Sequence, residues 1–141
     1  MNTFAKPSET AAKQLLSESG LPIEDITAKH LQHFFSCGPG PDLEGLVGLE
    51  LYGEVALLRS LVLAPNQRVA WLGSRLVEHA EHYARDRGVK SLYLLTMTAE
   101  AFFLRRGYAR LPRENAPEAI QNTKEFSGIC PLSSAFMVKN L

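Results

Sequence analysis

Apolar positions follow two rhythms along this chain. From Leu46 to Leu51, and again from Glu54 to Leu63, they crowd into strand-like runs. Tyr52-Gly53 between the runs is the short, glycine-bearing gap of a β-hairpin. The second run is apolar on both alternating faces, which predicts a central strand covered on both sides. Asn66-Gln67-Arg68 breaks it. From Trp71 to Gly88 the rhythm changes: Leu72, Leu76, Val77, Ala80, Tyr83 and Ala84 recur at helical spacing, and Glu78, Glu81, Arg85 and Asp86 mostly take other sides. Gly88 ends that helix. Ser91 to Thr96 is a further apolar strand, so strand, helix and strand form a βαβ unit with a right-handed crossover.

The flanks are shorter elements. Ser8 to Ser19 is helical in pattern, with Ser8 as N-cap, an apolar stripe of Ala11, Ala12, Leu15 and Leu16, and Gly20 as its stop. A connection from Leu21 to Asp25 leads to a short strand, Leu31 to Ser36, and then to a turn at Gly38-Pro39-Gly40-Pro41-Asp42. Thr98 to Arg106 reads as a short helix stopped by Gly107, Ala116 to Phe126 as a second with Pro117 near its start, and Ala135 to Val138 as a closing strand. The expected fold class is α/β (α+β): one domain over residues 1–141, with a mixed, mostly antiparallel twisted sheet flanked by helices on both faces.

Composition narrows the function classes. Fifteen basic residues balance fifteen acidic ones among 141, so no net charge draws the chain to nucleic acid or to an anionic membrane. The N-terminus lacks the apolar run of a signal peptide, and no stretch approaches a membrane span, which makes a cytoplasmic protein the expectation. Cys37 and Cys130 are too few for a disulfide framework and lack metal-ligand spacing.

Candidate chemistry gathers around the central strand. Where it runs into a turn and a helix start, backbone N–H groups are left without intrahelical partners, and with the helix dipole they suit a pyrophosphate. Arg59 sits inside an otherwise apolar strand, where an unpaired guanidinium is costly. Either a carboxylate of the protein pairs it, or it clamps an anionic group of a substrate. His79 and His82 are three apart with no third ligand nearby, so solvated histidines are expected rather than a metal site. His30 and His33, on a strand, would face opposite ways. Cys130 reads as a small apolar side chain.

The order of these segments resembles the acyl-CoA-binding core of the GNAT N-acetyltransferases. Arg68, Val69, Ala70, Trp71, Leu72 and Gly73 stand where that family carries Gln or Arg, two residues, Gly, one residue, then Gly or Ala. The first Gly is replaced by Trp71, which either turns outward and leaves the amides free or occludes the cradle. Thr98-Ala99-Glu100-Ala101-Phe102-Phe103-Leu104-Arg105-Arg106-Gly107-Tyr108 is similar to the family's second signature. The resemblance implies an acetyl-CoA-dependent N-acetyltransferase working by direct transfer. Leu61, Val62 and Leu63 would pair with the pantetheine arm. Arg68, Val69, Ala70, Trp71, Leu72, Gly73 and Ser74 would hold the pyrophosphate, Thr98, Phe102 and Arg105 would border the cofactor, and Arg59 would orient the acceptor. Phe103 stands where the family often has a Tyr that protonates the leaving thiolate; Ser133, Ser134 or water could replace it. Glu50 or Glu54 is the candidate base, against the plainer reading of both as solvated strand-end carboxylates. Further segments, among them Gly48 to Gly53 and Phe126 to Ala135, are similar to the arsenic-resistance, ArsN-type branch and to amino-acid acetyltransferases of the arginine pathway. That implies a small polar or anionic amine acceptor, an amino acid or a glutamate-like arsenical, with no nucleic-acid or membrane partner; a homodimer would be ordinary for the family. The alternative is a degenerate GNAT domain that binds CoA or a regulatory ligand without catalysis.

Overall fold

The computed structural model describes residues 4–21, 23–38, 43–64, 70–130 and 133–141, with Ala70 and Ile129 defined in their backbone alone. The expected turn at 38–42 therefore lies largely outside the described residues.

Ser8 opens α1 (Glu9–Glu18) by accepting the Ala11 N–H at 3.2 Å, which satisfies one donor of the first turn. At the other end Gly20 takes a φ of +74°, so Gly20 and Leu21 can turn their N–H groups back onto Ser17 and Leu16. The next stretch differs from expectation. Instead of extending from Leu31, the chain coils into α2 (Ala28–Leu31), where Thr27 and His30 exchange side-chain and backbone hydrogen bonds. Only then does β1 (Phe34–Cys37) begin. His30 is thus a helix-capping residue, and His33 bonds Tyr83 Oη at 2.9 Å. His79 is half-buried against Phe4 and Phe35 rather than solvated.

The hairpin forms as its pattern predicts. β2 (Gly45–Tyr52) and β3 (Val55–Leu63) close on the pair Tyr52↔Val55, around a turn in which Gly53 adopts φ +71°. α3 (Ala70–Asp86), β4 (Ser91–Thr96) and α4 (Glu100–Leu104) follow, then a two-residue β5 (Ala109–Arg110) that the pattern did not announce. The helix expected over Ala116 to Phe126 is broken: α5 (Glu118–Gln121) gives way to a wide π-type turn, Glu125–Ile129. Thr123 is the reason. Its hydroxyl donates to the Ile120 carbonyl at 2.7 Å and accepts the Phe126 N–H at 3.2 Å, diverting groups that a continuing helix would use. β6 (Ala135–Asn140) completes a six-stranded sheet in the order β1-β2-β3-β4-β6-β5. Its β3–β4 pair is parallel and the other pairs are antiparallel.

Helices cover both faces. On one, Leu72, Leu76, Val77, Ala80 and Ala84 of α3 pack with Phe103 against Val47, Leu49, Ala56, Leu58 and Leu94. At about 25 cal/mol per Å² each buried leucine of that stripe is worth roughly 2 kcal/mol. On the other face α1 packs over Phe34, Leu46 and Val62, and Ile120 of α5 packs with Leu57 and Phe136. No helix among the described residues is long and apolar enough to cross a membrane.

The central strand is irregular at one point. Opposite β2 the register shifts between Leu46 and Gly48, and Ser60 adopts φ +60°, the conformation of a bulge residue. The extra residue shifts the phase of alternation, so Arg59 and Val62 serve one face while Leu58, Leu61 and Leu63 serve the other. Pairing with β4 ends just before it, at Leu58↔Leu94. From Arg59 to Leu63 the β4-side edge of β3 has no strand partner among the described residues, and the two parallel strands splay apart.

Candidate active site

The splay opens into a cleft of about 600 Å³. Leu58 to Leu61 of β3 form one wall and the chain from Leu94 to Ala99 the other, with Gly20 and Glu24 above and Glu125, Cys130 and Ser134 closing the far side.

Arg59 lies beside it, 3% exposed. Its donors are committed to the protein. Nε donates to Ser60 Oγ at 3.1 Å, Nη1 to Asp25 Oδ2 and to Glu50 Oε2 at 2.6 Å, and Nη2 to Asp25 Oδ1 at 2.8 Å. Nη2 also forms an ion pair with Glu125 Oε2 at 3.4 Å. Of the two alternatives for this residue, pairing with protein carboxylates is the one observed. Four of the five guanidinium N–H groups are spent on acceptors of the chain, which leaves little of the fork for an anionic ligand. The price of burying four charges is met by compactness: Asp25 is bidentate, and the Tyr52 hydroxyl donates to Glu50.

The three carboxylates differ. Burial works against ionisation of Asp25, yet hydrogen bonds from Arg59 and its charge hold Asp25 below the ordinary carboxylate range. Glu50 has one oxygen on Arg59 and one on Tyr52, so it is a buried structural carboxylate rather than a solvated strand end. Glu54, by contrast, is exposed and 3.6 Å from Lys90 Nζ. Glu125 is buried, with only the long contact to Arg59 among the described residues, and burial raises its pKa to about 7 against the opposing charge of Arg59. Burial, reinforced by Glu125, pushes the Cys130 thiol up to about 12, so it stays protonated. Ser134 Oγ is buried and has no hydrogen-bond partner among the described residues.

The residues expected to hold a cofactor separate into groups. Arg68 and Val69 lie outside the described residues, and Ala70 is described only as the start of α3. Trp71 is 58% exposed on the first turn of α3. Leu72 is core. Gly73 serves helix packing: a Cβ there would meet the Phe102 ring at 3.3 Å. Arg106 lies on Phe102, 3.7 Å from the ring centre, and donates to Ser74 Oγ, tying the end of α4 to the start of α3. Arg105 is exposed, as is Thr98 on the cleft rim. Leu61 borders the cleft, Leu63 packs toward α3, and Val62 points to the opposite face against α1. Phe103 and Tyr108 are core aromatics, and the Tyr108 hydroxyl donates to Glu81 at 2.8 Å.

Sequence reasoning missed Asp25 and Glu125 as partners of Arg59. A buried guanidinium announces that carboxylates must exist, but contacts 34 residues away in the chain leave no local signature.

The model of the Acetyltransferase (GNAT) family matches residues 6–108. An uncharacterized N-acetyltransferase of Chlorobaculum tepidum is 30% identical over 99 residues, 70% of this chain and 63% of that protein. The amino-acid acetyltransferase of Ralstonia nicotianae is 38% identical over 66 residues, 47% of this chain and 14% of that one. The chain thus spans less than two-thirds of either relative. In structure it is similar to N-acetylglutamate synthase from Neisseria gonorrhoeae complexed with coenzyme A and N-acetyl-glutamate (TM-score 0.81, 19% identity, 100% of this chain and 35% of that one). It is similar also to Rv2747 from Mycobacterium tuberculosis in complex with CoA and NLQ (TM-score 0.79, 17% identity, 99% of each chain). At these identities the likeness is one of fold.

Proposed function

Because the chain belongs to the GNAT acetyltransferase family, we propose that it transfers the acetyl group of acetyl-CoA directly to the amine of a small polar acceptor. The observation that carries this reading is the splay of β3 from β4 at the Ser60 bulge, which leaves a strand edge of polar backbone bordering a cleft. A pantetheine arm, with its two amides, is chemically suited to such an edge. A helix start such as that of α3 is chemically suited to a pyrophosphate, and Trp71 is the exposed side chain beside it.

The chain's own groups then position and polarise. Ser134 is the hydroxyl best suited to donate to the sulfur as the thiolate leaves, since its Oγ is buried at the cleft without a partner among the described residues, whereas Phe103 has no hydroxyl to offer. Holding amine and thioester together supplies most of the remaining acceleration. Amino acids come first among acceptors, on the likeness to an amino-acid acetyltransferase. An arsenical glutamate analogue is a finer version resting on sequence resemblance, and with Arg59 committed it would need another anchor for its acidic group.

Calorimetry with acetyl-CoA, followed by an acceptor panel of amino acids, arsenical glutamate analogues and simple alkylamines, tests the reading. Micromolar binding and acetylation of at least one amine are expected. No binding up to millimolar would overturn it. Binding without acetylation of any amine would favour the second reading, a domain that holds CoA without turnover, for which the lack of a hydroxyl on Phe103 speaks.

A further inference from the structure

We propose that Glu125, rather than Glu50, is the base that takes a proton from the acceptor's ammonium group, being the member of the Arg59 carboxylate cluster left facing the cleft. This rests on the acetyl-transfer reading above. Both Asp25 oxygens are forked onto Arg59, and both Glu50 oxygens accept hydrogen bonds, from Arg59 and Tyr52. Glu125 keeps one contact of 3.4 Å and lines the cleft, which Glu50 does not.

Local structure presents it there. Thr123 ends α5 and turns the chain into the wide turn that begins at Glu125, and Phe126 anchors that turn edge-on against Phe136 of β6 at 5.2 Å. Wide π-type turns of this kind recur at functional sites. A second, independent feature of the same cleft asks for a ligand: the buried Ser134 hydroxyl, without a hydrogen-bond partner among the described residues.

The charge balance sets the direction of proton transfer. Facing Glu125 are Arg59 from β3, Asp25 from the α1–α2 connection and Glu50 from β2, with the neutral Cys130 thiol at the end of its own turn. Glu24 lines the same cleft, and Arg113 acts on Cys130 from beyond it. Three carboxylates around one guanidinium leave an excess of negative charge that an incoming ammonium offsets. A carboxyl raised to about 7 by burial is basic enough to take its proton near neutrality.

The step balances as follows. R–NH3⁺ gives one proton to the Glu125 carboxylate. The freed nitrogen lone pair attacks the thioester carbonyl and forms the C–N bond, while the C–S bond breaks and the thiolate leaves with its electron pair. The nitrogen's second proton ends on sulfur, giving CoASH and the neutral amide, and Glu125 returns its proton to solvent.

The test uses the full chain, acetyl-CoA and any amine of the panel that the wild type acetylates. Glu125→Gln should lower kcat by about 10²–10³-fold, with little change in KM and in the acetyl-CoA Kd, and should abolish the acidic limb of the kcat/KM profile near pH 7. Glu125→Asp should keep that limb at reduced kcat, which a merely structural role would not predict, and covers the case in which the Gln variant fails to fold. An unchanged limb in Glu125→Gln, or a kcat within threefold of wild type, overturns the assignment while leaving acetyl transfer intact. If the wild type acetylates no amine, the transfer reading falls and takes this assignment with it.

Discussion

Glu125 binds a proton in the folded protein over a pH range in which the unfolded chain has already lost it. Its folded pKa is about 7 against an ordinary 4.5. Stability credited to this group is therefore complete below about pH 4.5 and declines as pH rises through 7, by on the order of 3 kcal/mol. His33 and His79 act in the opposite sense: burial lowers both, so their contribution is present above pH 6.5 and lost as pH falls below it. Urea denaturation of wild type and Glu125→Gln at pH 5 and pH 8 separates the two. The variant should gain relative to wild type on going from pH 5 to pH 8; a constant difference would mean that the carboxyl is ionised throughout. A base kept partly protonated by burial thus costs stability where it is useful, as functional groups commonly do.

Two glycines decide how elements meet. A Cβ on Gly48 would fall 2.3 Å from the Phe34 ring, which crosses β2 at that point and whose centre lies 6.0 Å from the Arg59 guanidinium carbon. Gly48→Ala should cost about 1–3 kcal/mol in a urea titration, because a core ring has to move. Gly73→Ala presses on Phe102 at 3.3 Å, so its effect should appear in calorimetry as weaker acetyl-CoA binding more than in the urea midpoint. The hairpin, α3 and β4 were legible because their apolar periods repeat over many residues. The segments before β1 and after α5 were not. There, single side chains of Thr27 and Thr123 decide the backbone path through hydrogen bonds that no periodicity records. The candidate site divides along the same line: the residues expected at the cofactor come from contiguous signatures, whereas the carboxylates around Arg59 are assembled by tertiary contacts alone.

Across the whole molecule, the two ends of the candidate site, the start of α3 and the Arg59 cluster, have different tolerances. Trp71 is mostly exposed at the start of α3, so Trp71→Ala should leave the acetyl-CoA Kd within about twofold, and a tenfold change in either direction would mean that the indole contributes or obstructs. At the other end, Asp25, Glu50, Arg59 and Glu125 come from four separate parts of the chain, and removing one partner strands a buried charge.

The open edge of β3 has a consequence for solubility. Between Arg59 and Leu63 a central strand shows backbone to the cleft that no described strand pairs, and unpaired edges are templates on which another strand can add. A bound acetyl-CoA would shield that edge, so the cosubstrate would act as a guard against self-association as well as an acetyl donor. On slow heating with light scattering as readout, saturating acetyl-CoA should raise the onset of aggregation. Equal onsets with and without it would show that the edge is already protected by the narrowness of the cleft.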